Sequence, residues 1–183
     1  MTIKCSVYIA ASVDGFIATP DGGVEWLEKP EYSAVPMEGL SYDEFISTVD
    51  ALVMGRNTFE KVLTFGAWPY EGTPVVVLSS AELAIPEHLG DAVRHESGEP
   101  KEIVERLAKA GMRHLYIDGG VTIQRFLKDK LINELTITRI PVLLGAGLPL
   151  FGDAGPEQKL KLSQATASDN GFVQERYIVE NVV

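Results

Sequence analysis

The sequence predicts an α/β domain on a mostly parallel sheet, finished by an antiparallel hairpin, and three observations predict it. Apolar runs of strand length recur along the chain, separated by stretches with helical spacing. Helix punctuation falls between them, with Pro100 at one start and Gly111 at its stop. Near the C-terminus, "ASDNGFVQERYIV" reads as two strands joined by an Asn170-Gly171 turn. Strands that alternate with helices need crossover connections, and these give parallel pairing with both sheet faces covered.

Taken in order, residues 3–11 read as a buried strand, and Asp14-Gly15 turns the chain. Residues 19–37 hold Pro20, Gly22, Gly23, Pro30 and Pro36, so a long loop is expected there, of the kind that often carries function. Residues 38–48 read as a helix with Leu40, Phe45 and Ile46 on its apolar side. Residues 51–54 form a strand, and a short helix starts near Thr58. Thr73-Pro74 opens the strand Val75 to Leu78, which ends in Ser79-Ser80. Ile103, Val104, Leu107 and Ala108 make the apolar stripe of the helix after Pro100. His114 to Ile117 is a strand, and Gly119-Gly120 leads into a helix carrying Ile123, Phe126 and Leu127. Residues 134–142 form a long strand. No repeat, low-complexity tract or linker interrupts the pattern, so one domain over residues 1–183 is expected.

Hydrophobic residues are 45% of the chain and charged residues 23%, the composition of a globular protein with a full core. The net charge of −10 offers no basic field to nucleic acid or an anionic membrane. An anionic ligand must therefore be held locally, by a cation or two and by backbone N–H groups. Cys5 is the only cysteine, which rules out an internal disulfide and a Cys-rich zinc site. His88, His95 and His114 lack metal-ligand spacing. The apolar run Val7 to Ala11 is too short for a signal peptide or a membrane span, so a cytoplasmic protein is expected.

Three motifs sit at the C-terminal ends of expected strands, where open α/β sheets bind ligands. In Gly55-Arg56-Asn57-Thr58 the glycine permits close approach, the helix start offers N–H groups, and Arg56 can bind phosphate bidentately; a tight turn with a solvated arginine is the plainer alternative. Ser79-Ser80 offers two hydroxyls and no acid, which leaves room for a ribose 2′-phosphate; a serine-rich turn would look the same. In "IDGGVTIQRFL" the N–H groups of Gly119, Gly120 and Val121, with the Thr122 hydroxyl, could cradle a pyrophosphate, although no G-x-G-x-x-G is present. Asp14 could orient substrate or only shape its turn. Asp118 could touch substrate or only bond the diglycine. Trp26 could cover a planar ligand or fill a small core under the loop. "LLGAGLPLFG" lacks the Lys-Ser/Thr of a P-loop.

The ordered set "VMGRNTFE", "VVVLSS" and "IDGGVTIQRFL" resembles the NADPH-binding segments of the dihydrofolate reductase superfamily. With "YIAASVDGFIA" and "IPVLLGAGLPLF", it is similar to stand-alone proteins related to the reductase domain of the bifunctional riboflavin-biosynthesis deaminase–reductase, over roughly residues 3–180. The resemblance implies a dihydrofolate reductase-like fold: a mixed, mainly parallel central sheet flanked by helices, with an antiparallel C-terminal hairpin. It implies NADPH across the strand ends, contacted by Gly55, Arg56, Thr58, Ser79, Ser80, Gly119, Gly120, Val121 and Thr122, with Ala10 and Ile17 near the nicotinamide. It also implies a homodimer. The activity implied is hydride transfer to a C=N or C=O of a small pyrimidine- or pterin-like heterocycle, similar to 5-amino-6-(5-phosphoribosylamino)uracil reductase. Asp14, Asp118, Glu25 or an ordered water would then be the proton source, and Trp26 a substrate contact.

Three departures bear on the substrate. Ser41 stands about where dihydrofolate reductases place a carboxylate, with Asp43 close by. Tyr8 stands where riboflavin-pathway reductases carry a lysine. Their ribose-phosphate-binding stretch has no counterpart in "DGGVEWLEKPEY". The zinc-deaminase signatures H-x-E and P-C-x-x-C are absent from the sequence. A non-catalytic nucleotide-binding protein with the same cofactor cleft is the alternative.

Overall fold

The computed structural model describes residues 3–180. In chain order the strands are β1 (Lys4–Ser12), β2 (Phe16–Ala18), β3 (Ala51–Gly55), β4 (Val75–Leu78), β5 (Val93–Glu96), β6 (His114–Asp118), β7 (Glu134–Ile140), β8 (Leu148–Pro149), β9 (Lys159–Ala167) and β10 (Val173–Glu180). The helices are α1 (Pro30–Ser33), α2 (Tyr42–Ile46), α3 (Arg56–Val62), α4 (Pro100–Lys109) and α5 (Gly120–Lys128). The main sheet has the order β5-β4-β3-β6-β1-β7-β10-β9. Its pairs from β5 to β7 are parallel, and β10 runs antiparallel to both β7 and β9. The expected architecture, parallel sheet and closing hairpin, is the one observed.

The central strands of the sheet are covered on both faces. Ala51 to Met54 are completely inaccessible, which is why β3 reads as a continuous apolar run instead of an alternating one. Along each strand alternate residues serve opposite layers. On one face Leu115 and Ile117 pack with Ile103 and Leu107 of α4 and Ile123 and Phe126 of α5. On the other, Tyr116, Leu52 and Met54 pack with Phe45 of α2 and Phe59 of α3. Each such large side chain removed from water contributes about 1.5–3 kcal/mol before entropy is counted. Cys5 lies in the first layer, and burial pushes its thiol up to about 12, so it stays a small hydrophobe.

Several boundaries differ from the sequence reading. The helix expected over 38–48 is only Tyr42–Ile46, because Gly39 adopts φ +101 and a Ser41–Glu44 capping box starts the helix afterwards. The helix expected from Thr58 begins at Arg56, directly on the end of β3. The strand expected over 134–142 ends at Ile140, before Pro141. Strand β5 and the small β2–β8 pair carry no strong apolar alternation and were not anticipated. No helix among the described residues is long and apolar enough to cross a membrane.

Candidate functional site

Strands β3 and β6 are parallel neighbours, with Met54 opposite Asp118 at their ends. From there the chain departs in opposite directions. After β3 it enters α3, packed on one face, and moves outward to β4; after β6 it enters α5 on the other face and moves to β7. This is a topological switch point, where diverging helices leave a crevice beyond the strand ends. A cleft of about 680 Å³ occupies it, a size in the usual range for a cofactor site.

The cleft brings together Ile17, Gly55, Arg56, Thr58, Ser79, Ser80, Gly119, Gly120, Val121 and Thr122. Every cofactor contact expected from the sequence lines it, with Ala10 the exception. Ala10 lies on β1, opposite Thr138 of β7. Three segments at the cleft were missed by the sequence reading: Ser97-Gly98-Glu99 after β5, Gln124 and Arg125 on α5, and Leu148-Pro149 of β8. Arg125 lies within the quoted motif "IDGGVTIQRFL", at helical spacing from Val121, and that spacing could have flagged it.

Local chemistry explains the walls. Gly119 has φ +91, a conformation that side chains resist, and it lets α5 start at once. A Cβ at Gly119 would meet Thr58 Oγ1 at 2.5 Å, and one at Gly55 would meet Thr122 Oγ1 at 2.9 Å. Each glycine thus receives the other side's threonine. The first intrahelical bond of α5 runs from Ile123 N to Gly119 O, at 2.8 Å. The N–H groups of Gly120, Val121 and Thr122 therefore precede the helical ladder and carry the positive end of the helix. Val121 is 71% exposed at the cleft. Arg56 lies at the opposite wall; its Nε donates to Glu60 at 2.6 Å, and both side chains are about half exposed. A guanidinium has four more N–H groups for a second anion. At the end of β4, Ser79 Oγ donates to Ala81 O (2.9 Å), and His95 Nε2 donates to Ser79 O (2.8 Å).

Asp118 closes β6 next to the glycines. Its Oδ1 accepts from Gly119 N at 2.9 Å. Burial pushes its carboxyl up to about 6, against the opposing pull of that N–H. On its face of the sheet stand the rings of Tyr116, Tyr42, Tyr8 and Tyr70.

Asp14, Asp118 and Trp26 are not among the residues that line the cleft, although Gly119, next to Asp118, is. The Asp14 carboxylate accepts from Ser12 Oγ (2.6 Å), Leu144 N (3.1 Å) and Gly145 N (2.8 Å), so it clasps the β1–β2 turn to the loop before β8. The Ser12 hydroxyl, helped by the two N–H groups, holds it below the usual carboxylate range. Trp26, in a 3-10 turn at Glu25–Leu27, is 8% exposed, and its indole N–H has no partner among the described residues. Burial of this kind matches a small core under the loop.

Comparison with known proteins bears on the same residues. Residues 4–174 match the family described as RibD C-terminal domain. The uncharacterized protein YwjB of Bacillus subtilis (strain 168) is 36% identical over 182 residues, covering 97% of this chain and 99% of its own. A solved structure from Shewanella sp. PV-4, of a protein provisionally assigned to riboflavin biosynthesis, is 38% identical with a TM-score of 0.88, covering 98% of this chain and 100% of that one. The dihydrofolate reductase of Enterococcus faecalis, solved with NADP(H) and RAB-propyl, shares the fold with a TM-score of 0.66 at 17% identity, covering 97% of both chains.

Proposed function

The chain belongs to the RibD C-terminal domain family, and from that premise we propose that it is an NADPH-dependent reductase acting on a C=N or C=O of a small pyrimidine- or pterin-like heterocycle. One observation carries the reading: the segments Gly55–Thr58, Ser79-Ser80 and Gly119–Thr122, far apart in sequence, line one cleft at the switch point. A dihydrofolate reductase that shares the fold was solved with NADP(H), which supports a nicotinamide cofactor here.

The donor set fits such a dinucleotide. The free N–H groups of Gly120, Val121 and Thr122 suit the pyrophosphate, and Arg56 supplies a cation that an acidic protein otherwise lacks at this wall. Ser79 and Ser80 suit a ribose phosphate, with Arg125 on the same cleft; Arg125 Nη2 lies 3.6 Å from a Glu99 carboxylate oxygen. When bound, the cofactor supplies the hydride. The chain's part is to hold the two reactants together, exclude water and deliver a proton. Asp118, at the end of β6 beside Gly119, is the proton source we propose. It is partly buried at the strand end, and its carboxyl is raised into the range where a general acid retains protons near neutral pH.

Titration of the protein with NADPH and with NADH, followed by nicotinamide fluorescence, tests the reading. NADPH should bind at least tenfold tighter, since no acid stands at Ser79-Ser80 to repel a 2′-phosphate. Equal or tighter binding of NADH would remove it.

A second reading concerns assembly. Strand β9 has no buried residue along its length, and Leu160, Leu162 and Ile178 of the β9–β10 hairpin are 38%, 53% and 43% exposed. A long edge strand with this much apolar surface asks to be covered, and a second copy of the chain is the occupant we propose.

A further inference from the structure

On one face of the sheet, next to Asp118, the chain gathers an aromatic wall. Tyr42 of α2 lies 6.4 Å from Tyr116 of β6 and 5.8 Å from Tyr8 of β1, measured between ring centroids. Phe45 stacks on Tyr8 at 4.9 Å and meets Tyr116 edge-on at 5.0 Å, locking these rings from behind. The hydroxyl of Tyr8 donates to Leu40 O (2.8 Å) and that of Tyr116 to Tyr8 O (2.9 Å), which fixes their planes. Tyr116 is buried, while Tyr8, Tyr42 and Asp118 keep partial exposure. Asp118 follows Tyr116 by two residues on the same face, and the next residue, Gly119, lines the cleft.

Carboxylates adjoin these rings: Asp118 stands two residues after Tyr116 on β6, and Asp43 and Glu44 directly follow Tyr42 on α2. Among the described residues, Arg94 and Arg106 meet Glu96, Lys128 meets Asp153 and Arg139 meets Glu175, while Arg176, two strands from Tyr8 on the same face, donates to Gln164 Oε1 at 3.3 Å on the far side. Ser41, which precedes Tyr42, is occupied as a helix cap with Glu44. A phosphate monoester carries nearly two negative charges and needs cations or aligned N–H groups. This wall offers π-faces and carboxylates instead.

Resting on the reductase reading, we propose that the substrate is a flat, unphosphorylated heterocycle, neutral or cationic, that lies against Tyr42 and Tyr8 with its reducible bond beside Asp118. Stacking supplies sequence-tolerant affinity for any such ring, and the carboxylates favour ring N–H groups while repelling a phosphate.

Calorimetry on protein saturated with NADP⁺ tests this, using 5-amino-6-ribosylaminouracil, its 5′-phosphate and dihydropterin as probes. The unphosphorylated nucleoside or the pterin should bind at least tenfold tighter than the phosphate ester. Tyr42→Leu should weaken that binding about tenfold with the NADPH dissociation constant unchanged, and Tyr42→Phe should keep it. Preference for the phosphate ester, equal binding of all three, no binding of any, or indifference to Tyr42→Leu would each overturn the proposal. A failure of NADPH itself to bind would instead overturn the reductase reading, and that titration is read separately.

Discussion

Replacing Asp118 by Asn separates what this carboxyl costs the fold from what it gives the chemistry. Burial holds its pKa at about 6, against an ordinary 3.8. Each unit corresponds to 1.36 kcal/mol, so the ionised form would be penalised by at most about 3 kcal/mol. The residue keeps some exposure, which reduces this to about 1–2 kcal/mol. The sign follows from linkage. Between pH 3.8 and about 6 the native state binds more protons at this site than the unfolded state, so wild-type stability falls as pH rises through that window. Above it the penalty is complete. Asn cannot ionise, and its side-chain oxygen can still accept from Gly119 N. The variant should therefore match wild type near pH 4 and exceed it by about 1–2 kcal/mol at pH 7–8, a rise of about 2–8 °C in thermal midpoint for a chain of this size. Activity should move the other way. Loss of a positioned acid should lower kcat by about 10²–10⁴-fold, and the wild-type decline in kcat above pH 6 should vanish. Thermal scans across pH and NADPH oxidation against the probe rings measure both. An unchanged or lower midpoint at pH 8 would refute the burial argument. A stabilised variant with wild-type turnover would refute the proton role.

Arg56→Ala should raise the NADPH dissociation constant about tenfold to a hundredfold by removing a charge-assisted bond to phosphate, while the apo thermal midpoint stays near wild type because the Arg56–Glu60 pair is exposed; an unchanged constant would return Gly55-Arg56 to an ordinary turn. Gly119→Ala should cost about 2–3 kcal/mol in urea unfolding, from the left-handed φ and the contact with Thr58 Oγ1, and a cost below about 0.5 kcal/mol would contradict the geometry. Leu162→Glu should shift sedimentation equilibrium at micromolar concentration from dimer to monomer, and a wild type that already sediments as a monomer would reject the assembly reading.

The sheet was legible because its central strands are buried on both faces and announce themselves as apolar runs. The three strand-end motifs could be singled out because each follows an expected strand, but each also reads as an ordinary turn, and only the fold shows that they line one cleft. Strand β5, "VRHE", was not legible: it lies at an edge and its order comes from pairing with β4, not from its own pattern. The short reach of α2 follows from Gly39 at φ +101, a backbone requirement that composition does not show. Asp14 and Trp26 carried residue types suited to chemistry, but only three-dimensional neighbours reveal a carboxylate spent on loop N–H groups and an indole closed under its loop. The aromatic wall escaped notice because Tyr8, Tyr42 and Tyr116 come from three elements with no common spacing.

The crossed threonines have a mechanical meaning. Thr58 is seated at Gly119 and Thr122 at Gly55, so each of two parallel strands is latched to its neighbour at the open end, where a sheet is otherwise free to shear. Sliding β3 past β6 would drive both hydroxyls into backbone at once. The gap between the two departing helices is thereby set before any ligand arrives, and little ordering remains to be done on binding. Glycine and threonine at these four positions form one device, and a change at any of them must be answered at its counterpart across the gap.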